Sequence, residues 1–280
     1  MQYALNYSPQ AVQALNNGAI TIDLFKCPPW KDLTRDARAL KPIYIHFPLR
    51  AGSLHKTNWS EIERWMRQSD TPKVNLHLYV RSEDLPGIED QSEASARDRV
   101  KARFISDLQL MVKRFGAENV IAENVPFGRR SNDKHALSYC VEPDLIREVL
   151  ETTGCGLLLD TAHATITAQS LGIDPVEYVL SLPIERTGEV HVTGVRDTND
   201  GLMDHLAFTE EDFQTNEIVL EALKTRGARP WVMTCEYGGV TPQFDWRSNY
   251  DVIVHDTTRL VAMLQKFNAA PVNTEQDSAS

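Results

Sequence analysis

The chain has 280 residues, of which 42% are hydrophobic and 24% are charged, a composition typical of a globular protein with a sizeable core. Its formal net charge of −10 argues against a nucleic-acid partner, because phosphate binding requires a basic surface. We find no apolar run near the roughly 18 residues that would span a bilayer, and no signal-peptide pattern at the start.

The cysteines point to a reducing compartment. The sequence contains four of them and no CxxC pair: Cys27, Cys140, Cys155 and Cys235. We therefore expect reduced thiols in a cytoplasmic protein that does not bind a membrane.

Eight strand-sized runs of apolar and β-branched residues alternate with helix-like segments. The predicted strands are residues 3–7, 20–25, 42–48, 73–80, 119–125, 156–162, 188–195 and 230–237. The predicted helices are residues 58–66, 97–115, 143–150, 174–182, 210–225 and 249–267. Alternating β and α units predict a parallel sheet, and eight units predict closure into a single α/β (β/α)8 TIM barrel.

The domain organisation follows from this pattern. Residues 1–268 are predicted to form the catalytic barrel domain, and residues 269–280, which are small and polar, a disordered C-terminal tail. The segments 81–95 and 127–138 are predicted to be long loops over the top of the barrel.

Ionisable residues stand at or near the ends of six successive predicted strands. They are His46, His77, Glu123, Asp160, His191 and Glu236. One such residue alone is more typical of an ordinary core or capping position. Six at equivalent positions can converge on the barrel axis at its C-terminal face, where barrel enzymes place their sites. The pattern therefore predicts a shared metal site.

Four further residues extend this predicted site. His163 follows Asp160 by three residues and is predicted to reach a second metal or the substrate. In the loop after the seventh strand, either Asp204 or His205 can be a ligand, and we favour His205. Arg247 is predicted to contact an anionic substrate group, with a surface salt bridge as the alternative.

The number of predicted ligands exceeds the need of one metal ion, which takes three or four protein ligands at a catalytic site. We therefore expect two or three divalent ions, bridged by Glu123 and by Glu236 as a second candidate. Mixed imidazole and carboxylate ligands favour iron, zinc or manganese over calcium or magnesium.

At these residues the sequence resembles the xylose-isomerase-like barrel superfamily. The order Glu123, Asp160, His191 and Glu236 is similar to the single-metal quartet of its sugar isomerases and epimerases. With the additional histidines and the 204–205 pair, the set resembles the trinuclear site of the endonuclease IV family. That family's LDTxH motif is matched by residues 159–163, and its Glu-Asn strand end by residues 123–124.

Residues 157–194 resemble a third branch, the multinuclear non-haem iron-dependent oxidases of the methanobactin-biosynthesis type, which modify peptides. The matching features are an LLLD strand, a GxDPxxY helix start at 172–178, an LPxxR turn at 182–186 and the following His strand. Two features depart from the pattern. His163 lies where that branch tends to have Asn, and Asp204 and His205 are adjacent, whereas both multinuclear branches tend to have Asp-x-His.

The third resemblance implies an iron-dependent oxidase of a peptide or small molecule, with one iron open to dioxygen or substrate and another anchoring the substrate. It also implies a partner protein that supplies a peptide substrate. The expected catalytic residues are Glu123, Glu236 and His163. The alternatives are an endonuclease-IV-like phosphoesterase, a single-metal sugar isomerase or epimerase in which Glu123 or Glu236 moves a proton, and a barrel that only binds metal or peptide.

Overall fold

The computed structural model describes residues 1–85, 94–128, 136–199 and 201–269. Most of the two predicted loops, at 86–93 and 129–135, and the predicted tail from residue 270 onwards lie outside the described residues. The remaining residue of the predicted tail, Ala269, is the last residue of a helix.

Eight parallel strands form one sheet, in the order β3-β2-β1-β10-β7-β6-β5-β4. They are β1 (Gln2–Asn6), β2 (Leu24–Cys27), β3 (Ile43–Ile45), β4 (Val74–His77), β5 (Val120–Glu123), β6 (Gly156–Asp160), β7 (Thr187–Val192) and β10 (Val232–Cys235). Beyond the end of β3, the amide of His77 donates to Leu49 O at 3.0 Å, and the amide of Ala51 donates to His77 O at 3.1 Å. These bonds join the two edge strands, and the predicted TIM barrel is confirmed.

The α-helices of the described residues follow the barrel strands in chain order. They are α1 (Pro9–Asn16), α2 (Lys31–Arg38), α3 (Trp59–Ser69), α4 (Ala94–Phe115), α5 (Pro143–Thr153), α6 (Thr161–Leu171), α7 (Pro175–Ser181), α8 (Glu210–Thr225) and α9 (Tyr250–Ala269). The six predicted helices correspond to α3, α4, α5, α7, α8 and α9. The shorter helices α1 and α2 and the helix α6 were not predicted.

Local sequence explains where these helices begin and which face they bury. The Asp174 carboxylate accepts a hydrogen bond from the Glu177 amide at 2.9 Å, and Pro175 takes the first position of α7, as its fixed φ favours. On α4, Phe104 and Leu108 lie one helical turn apart and are fully buried. This apolar side of α4 therefore faces the core.

Three boundaries differ from the prediction for identifiable reasons. The strand predicted at 156–162 ends at Asp160, because its carboxylate accepts the His163 amide at 2.8 Å and starts α6 there. The strand predicted at 20–25 lies at Leu24–Cys27, since the Asp23 carboxylate accepts the Tyr3 amide at 2.7 Å just before it.

The third difference concerns the segment after β7, which was predicted to be a loop. It forms an antiparallel hairpin of β8 (Gly194–Thr198) and β9 (Gly201–Leu206). The hairpin carries the predicted ligand pair at positions 204 and 205 back towards the barrel.

The four cysteines are all buried and none is in a disulfide, as the sequence predicts. Among the helices that the structure describes, none has both the length and the apolar character needed to cross a bilayer.

Candidate metal centre

The sheet register aligns the strand-end residues in pairs. His77 on β4 lies opposite Glu123 on β5, and Asp160 on β6 lies opposite His191 on β7. Residues in register on neighbouring parallel strands point to the same face of a sheet. In this barrel that face is the interior, and the pairs therefore meet at the carboxyl ends of the strands.

The first group of candidate ligands consists of His46, His77 and Glu123. The Glu123 Oε2 atom lies 3.1 Å from His77 Nε2 and 3.4 Å from His46 Nε2. Glu123 is 1% exposed, and its Oε2 atom has no hydrogen-bond partner. A buried carboxylate oxygen with no hydrogen bond is costly unless a cation compensates it.

The second group shares Glu123 and adds Asp160 and His163. Glu123 Oε1 lies 3.7 Å from His163 Nδ1, on the opposite side of the carboxylate from the first group. The Oδ2 atom of Asp160 is buried and also has no hydrogen-bond partner. The two oxygens of Glu123 therefore face two different groups of candidate ligands.

Three histidines are oriented by the backbone. The Nδ1 atom of His77 donates to Leu49 O at 2.8 Å, that of His163 to Asn124 O at 2.9 Å, and that of His205 to Glu236 O at 2.9 Å. A carbonyl oxygen can only accept, so each of these Nδ1 atoms carries the proton and each Nε2 lone pair is left for another partner. This arrangement is typical of metal-binding histidines.

The sequence leaves open whether Asp204 or His205 is a ligand, and the structure places both side chains at the site. In a regular strand adjacent side chains point to opposite faces, but His205 has a φ of +58°, in the left-handed region. The Asp204 carboxylate lies 3.5 Å from His163 Nε2 and 3.7 Å from His205 Nε2. Both adjacent residues therefore face the site from β9.

The third group consists of Asp160, His191 and Glu236. His191 Nδ1 lies 3.0 Å from Glu236 Oε1. The same oxygen of Glu236 accepts a hydrogen bond from the ammonium of Lys26, the residue before the end of β2. Lys26 is 8% exposed. The sequence analysis did not identify this lysine, because the second strand was predicted to end at residue 25. Its position near the end of an apolar strand is the same feature that identified the six strand-end candidate ligands.

A buried polar layer lies beneath the third group. His191 Nε2 bonds to Glu189 Oε1 at 2.8 Å, and Trp231 Nε1 donates to Glu189 Oε2 at 3.1 Å. Tyr44 OH lies 3.3 Å from His191 Nε2. Glu189 precedes His191 by two residues on β7 and so points to the same interior face, where it fixes the imidazole orientation.

Burial and mutual repulsion perturb the protonation of the cluster. Burial, together with the nearby Lys26 ammonium, holds the pKa of both His46 and His191 well below the usual value. Burial raises the pKa of Asp160 to about 6. Burial opposes the protonation of His163, but Asp160, Asp204 and Glu123 outweigh it and raise its pKa to about 9. His46 and His191 are therefore neutral imidazoles, as metal binding requires, whereas His163 carries a proton that a divalent cation would have to displace.

A cavity of about 360 Å³ opens beside the candidate ligands. Its outer wall contains the aromatic side chains of Tyr7, Trp30 and Phe244, together with Arg247, whose guanidinium lies 4.3 Å from the centre of the Phe244 ring. Lys26 forms part of the inner wall. The predicted substrate contact Arg247 therefore lies in the lining of this cavity, together with aromatic rings and with the candidate metal ligands Glu123 and Glu236.

The residues fit divalent ions. The structure brings all eight predicted ligands to one end of the barrel, and buried oxygens of Glu123 and Asp160 and the Nδ1 of His191 have no hydrogen-bond partner. Imidazole nitrogen and carboxylate oxygen are the donors that iron, zinc and manganese share.

Comparisons with known proteins agree with this description. Residues 96–233 match the family model described as RiPP precursor modification enzyme MbnB/TglH/ChrH. A UPF0276 protein of Paraburkholderia phytofirmans is 32% identical over 94 residues, which are 34% of this chain and 31% of the relative. A UPF0276 protein of Caulobacter vibrioides is 40% identical over 60 residues, 21% of this chain and 20% of the relative. The aligned stretches thus span less than a third of these relatives.

Solved structures share the fold at low sequence identity. Mannonate dehydratase from Streptococcus suis serotype 2 has a TM-score of 0.56, with 12% identity over 95% of each chain. A xylose isomerase-like TIM barrel/4-hydroxyphenylpyruvate dioxygenase fusion protein has a TM-score of 0.54, with 14% identity over 97% of this chain and 45% of that one. AP endonuclease, family 2 from Brucella melitensis has a TM-score of 0.50, with 15% identity over 87% of this chain and 96% of that one.

These matches confirm the resemblance to xylose-isomerase-like barrels and to the peptide-modifying branch, since the segment 157–194 lies inside the matched range.

Proposed function

We propose that the chain is a non-haem iron-dependent oxidase that acts on a peptide or a small molecule. The observation that carries the proposal is the pair of adjacent ligand groups that share Glu123. Glu123, Asp160 and His163 lie within residues 96–233, which match the family of peptide-modifying enzymes, and His46 and His77 precede that stretch. Iron bound there would supply the redox chemistry by which electrons pass from substrate to dioxygen.

The protein's own residues would hold and orient the metal and the substrate. The backbone-anchored His77, His163 and His205 present their Nε2 atoms to the site without rearrangement. Such pre-organisation reduces the free energy that would otherwise be lost in ordering these side chains. Glu123 would keep the two ions next to each other.

The cavity supports an anionic substrate. Arg247 and Lys26 lie in the lining of this cavity with the rings of Tyr7, Trp30 and Phe244, and the candidate ligands Glu123 and Glu236 lie in the same lining. Since Lys26 is bonded to Glu236, Arg247 is the residue that would contact the anionic group. A substrate that fills it would displace water from the metal-facing surface and strengthen the electrostatic interactions there. A peptide could enter this cavity with one side chain or one terminus, and a partner protein would deliver it.

Oxygen consumption tests the proposal. The protein is reconstituted anaerobically with ferrous iron and mixed with a library of short peptides and small acids, with and without cysteine. Oxygen uptake is recorded on an electrode and substrate mass by mass spectrometry. We expect substrate-dependent uptake together with a mass change, and neither in Glu123→Gln. Turnover of a substrate in nitrogen-purged buffer would refute an oxidase.

A phosphoesterase is the second candidate, because adjacent imidazole and carboxylate groups can also hold metals that activate water. Arg247 in the cavity wall suits a phosphate as well as a carboxylate. Hydrolysis of bis(4-nitrophenyl) phosphate by the zinc-loaded protein, abolished in Glu123→Gln, would favour this activity over oxidation.

A further inference from the structure

The charge balance of the third group differs from that of the other two. Its carboxylate Glu236 already has a cationic partner, the Lys26 ammonium, which donates a hydrogen bond to Oε1. In contrast, the Oε2 atom of Glu123, the carboxylate that the first and second groups share, lacks any hydrogen bond. Glu236 therefore has a cationic side chain as its partner already, whereas the shared carboxylate has a buried oxygen that an added cation would compensate.

The lysine cannot be treated as a solvated surface group. Lys26 is 8% exposed, and β2 is paired on both sides, with β1 and β3. Its side chain forms part of the inner wall of the cavity, where Glu236 accepts a hydrogen bond from the ammonium. A buried lysine retains its charge only when a carboxylate or other acceptor compensates it.

A metal ion and this ammonium compete for the same oxygen. A metal–carboxylate bond is about 2.0–2.2 Å long, so an ion bound to Glu236 Oε1 would lie close to the Lys26 Nζ atom. Two positive charges at that separation, inside a buried site, repel each other strongly. His191, the neutral ligand of the same group, lies 3.0 Å from the contested oxygen.

We infer that the Lys26 ammonium takes the place of a metal ion beside Glu236, so that the chain holds two ions, one in each of the groups that share Glu123. The inference rests on the metal binding of the proposed function. Lys26 is then a fixed cation of the site, and Glu236 holds the lysine instead of bridging metals.

Iron counting tests this directly. Wild type, Lys26→Met, Lys26→Arg and the control Lys73→Met are loaded anaerobically with ferrous iron, desalted, and analysed by inductively coupled plasma mass spectrometry. Lys73 is a half-buried lysine at the opposite end of the barrel, where it donates to Glu118 O at 2.7 Å. We expect two irons per chain in wild type, Lys26→Arg and Lys73→Met, and three in Lys26→Met.

Two results would overturn the inference: three irons in wild type, or no additional iron in Lys26→Met. If Lys26→Met does not fold, the double variant Lys26→Met/Glu236→Gln replaces it in the test, because it removes both charges together. We expect this double variant to fold and to bind two irons per chain. Three irons per chain in it would refute the role of the lysine. A wild type with three irons would leave the oxidase proposal standing. If no substrate caused oxygen uptake, the oxidase proposal would fail, but the expected difference in iron content between wild type and Lys26→Met would still be tested by the iron count.

Discussion

Replacing Glu123 with glutamine should have opposite effects on thermal stability with and without metal. In chelator, the wild-type carboxylate is buried at 1% exposure, near the buried acids Asp160 and Asp204, and its Oε2 atom has no hydrogen bond. Removal of such an uncompensated group relieves about 1–3 kcal/mol of desolvation. Since each kcal/mol shifts Tm by about 2–4 °C in a protein of this size, Glu123→Gln should melt roughly 2–12 °C above wild type in chelator.

With ferrous iron the order should reverse. Each ion that binds only the folded state contributes about 2.7 kcal/mol when its concentration is a hundred times its Kd. Because Glu123 lies between the first two groups, its loss should weaken both ions, and the variant should gain little or no Tm from iron.

The assay is differential scanning fluorimetry under nitrogen, in chelator and in ferrous iron. The matched control is Glu221→Gln, an exposed glutamate on α8 with a side chain 72% accessible, which should behave like wild type in both buffers. An iron-dependent rise in Glu123→Gln equal to that of wild type would show that this carboxylate binds no metal.

Three further predictions address other parts of the molecule. His163→Asn should keep at least one iron per chain if the oxidase resemblance holds, whereas complete loss by mass spectrometry would favour the endonuclease-like arrangement. Asp84 is partly buried, which raises its pKa, but hydrogen bonds from Arg50 and Arg81 outweigh burial and lower it. Its contribution to stability, roughly 1–2 kcal/mol, is therefore present above the unfolded pKa and lost as pH falls through the folded value. Urea unfolding should accordingly show Asp84→Asn below wild type at pH 7 and the two converging in acid, and a constant difference would contradict the ion pair. Phe104→Ala should cost about 3–5 kcal/mol in the same experiment, since the ring is fully buried on α4, and a loss below 1 kcal/mol would place it outside the core.

The sequence predicts the barrel and most of its site because both depend on simple periodicities. Side chains alternate along a strand, so a charged residue near the end of an apolar strand points either to the axis or under a helix, and only the axis offers partners. His77, Glu123, Asp160 and His191 all follow this rule and lie together.

Lys26 and Glu189 could not be assigned in the same way. The boundary of β2 depends on the Asp23 carboxylate, which accepts the Tyr3 amide across the sheet, a long-range contact that local propensity does not reveal. Glu189 lies one layer below the end of β7. Its partners are far from it in the sequence, since Tyr44 is on β3 and Trp231 directly precedes β10.

The conformation of His205 is a third feature beyond sequence patterns. Two adjacent residues reach the same site only because His205 adopts a positive φ within the β8–β9 hairpin. Non-glycine residues rarely do so, and such strain is concentrated at functional sites.

Anomalous diffraction at the iron edge, from crystals grown under nitrogen after iron loading, tests the central claim most directly. We predict two peaks at the carboxyl end of the barrel, one beside His46 and His77 and one beside Asp160 and His163, with Glu123 between them and no peak beside Glu236. A peak next to Glu236 would contradict the role given to Lys26, and the absence of any peak at this end of the barrel would contradict the metal centre itself.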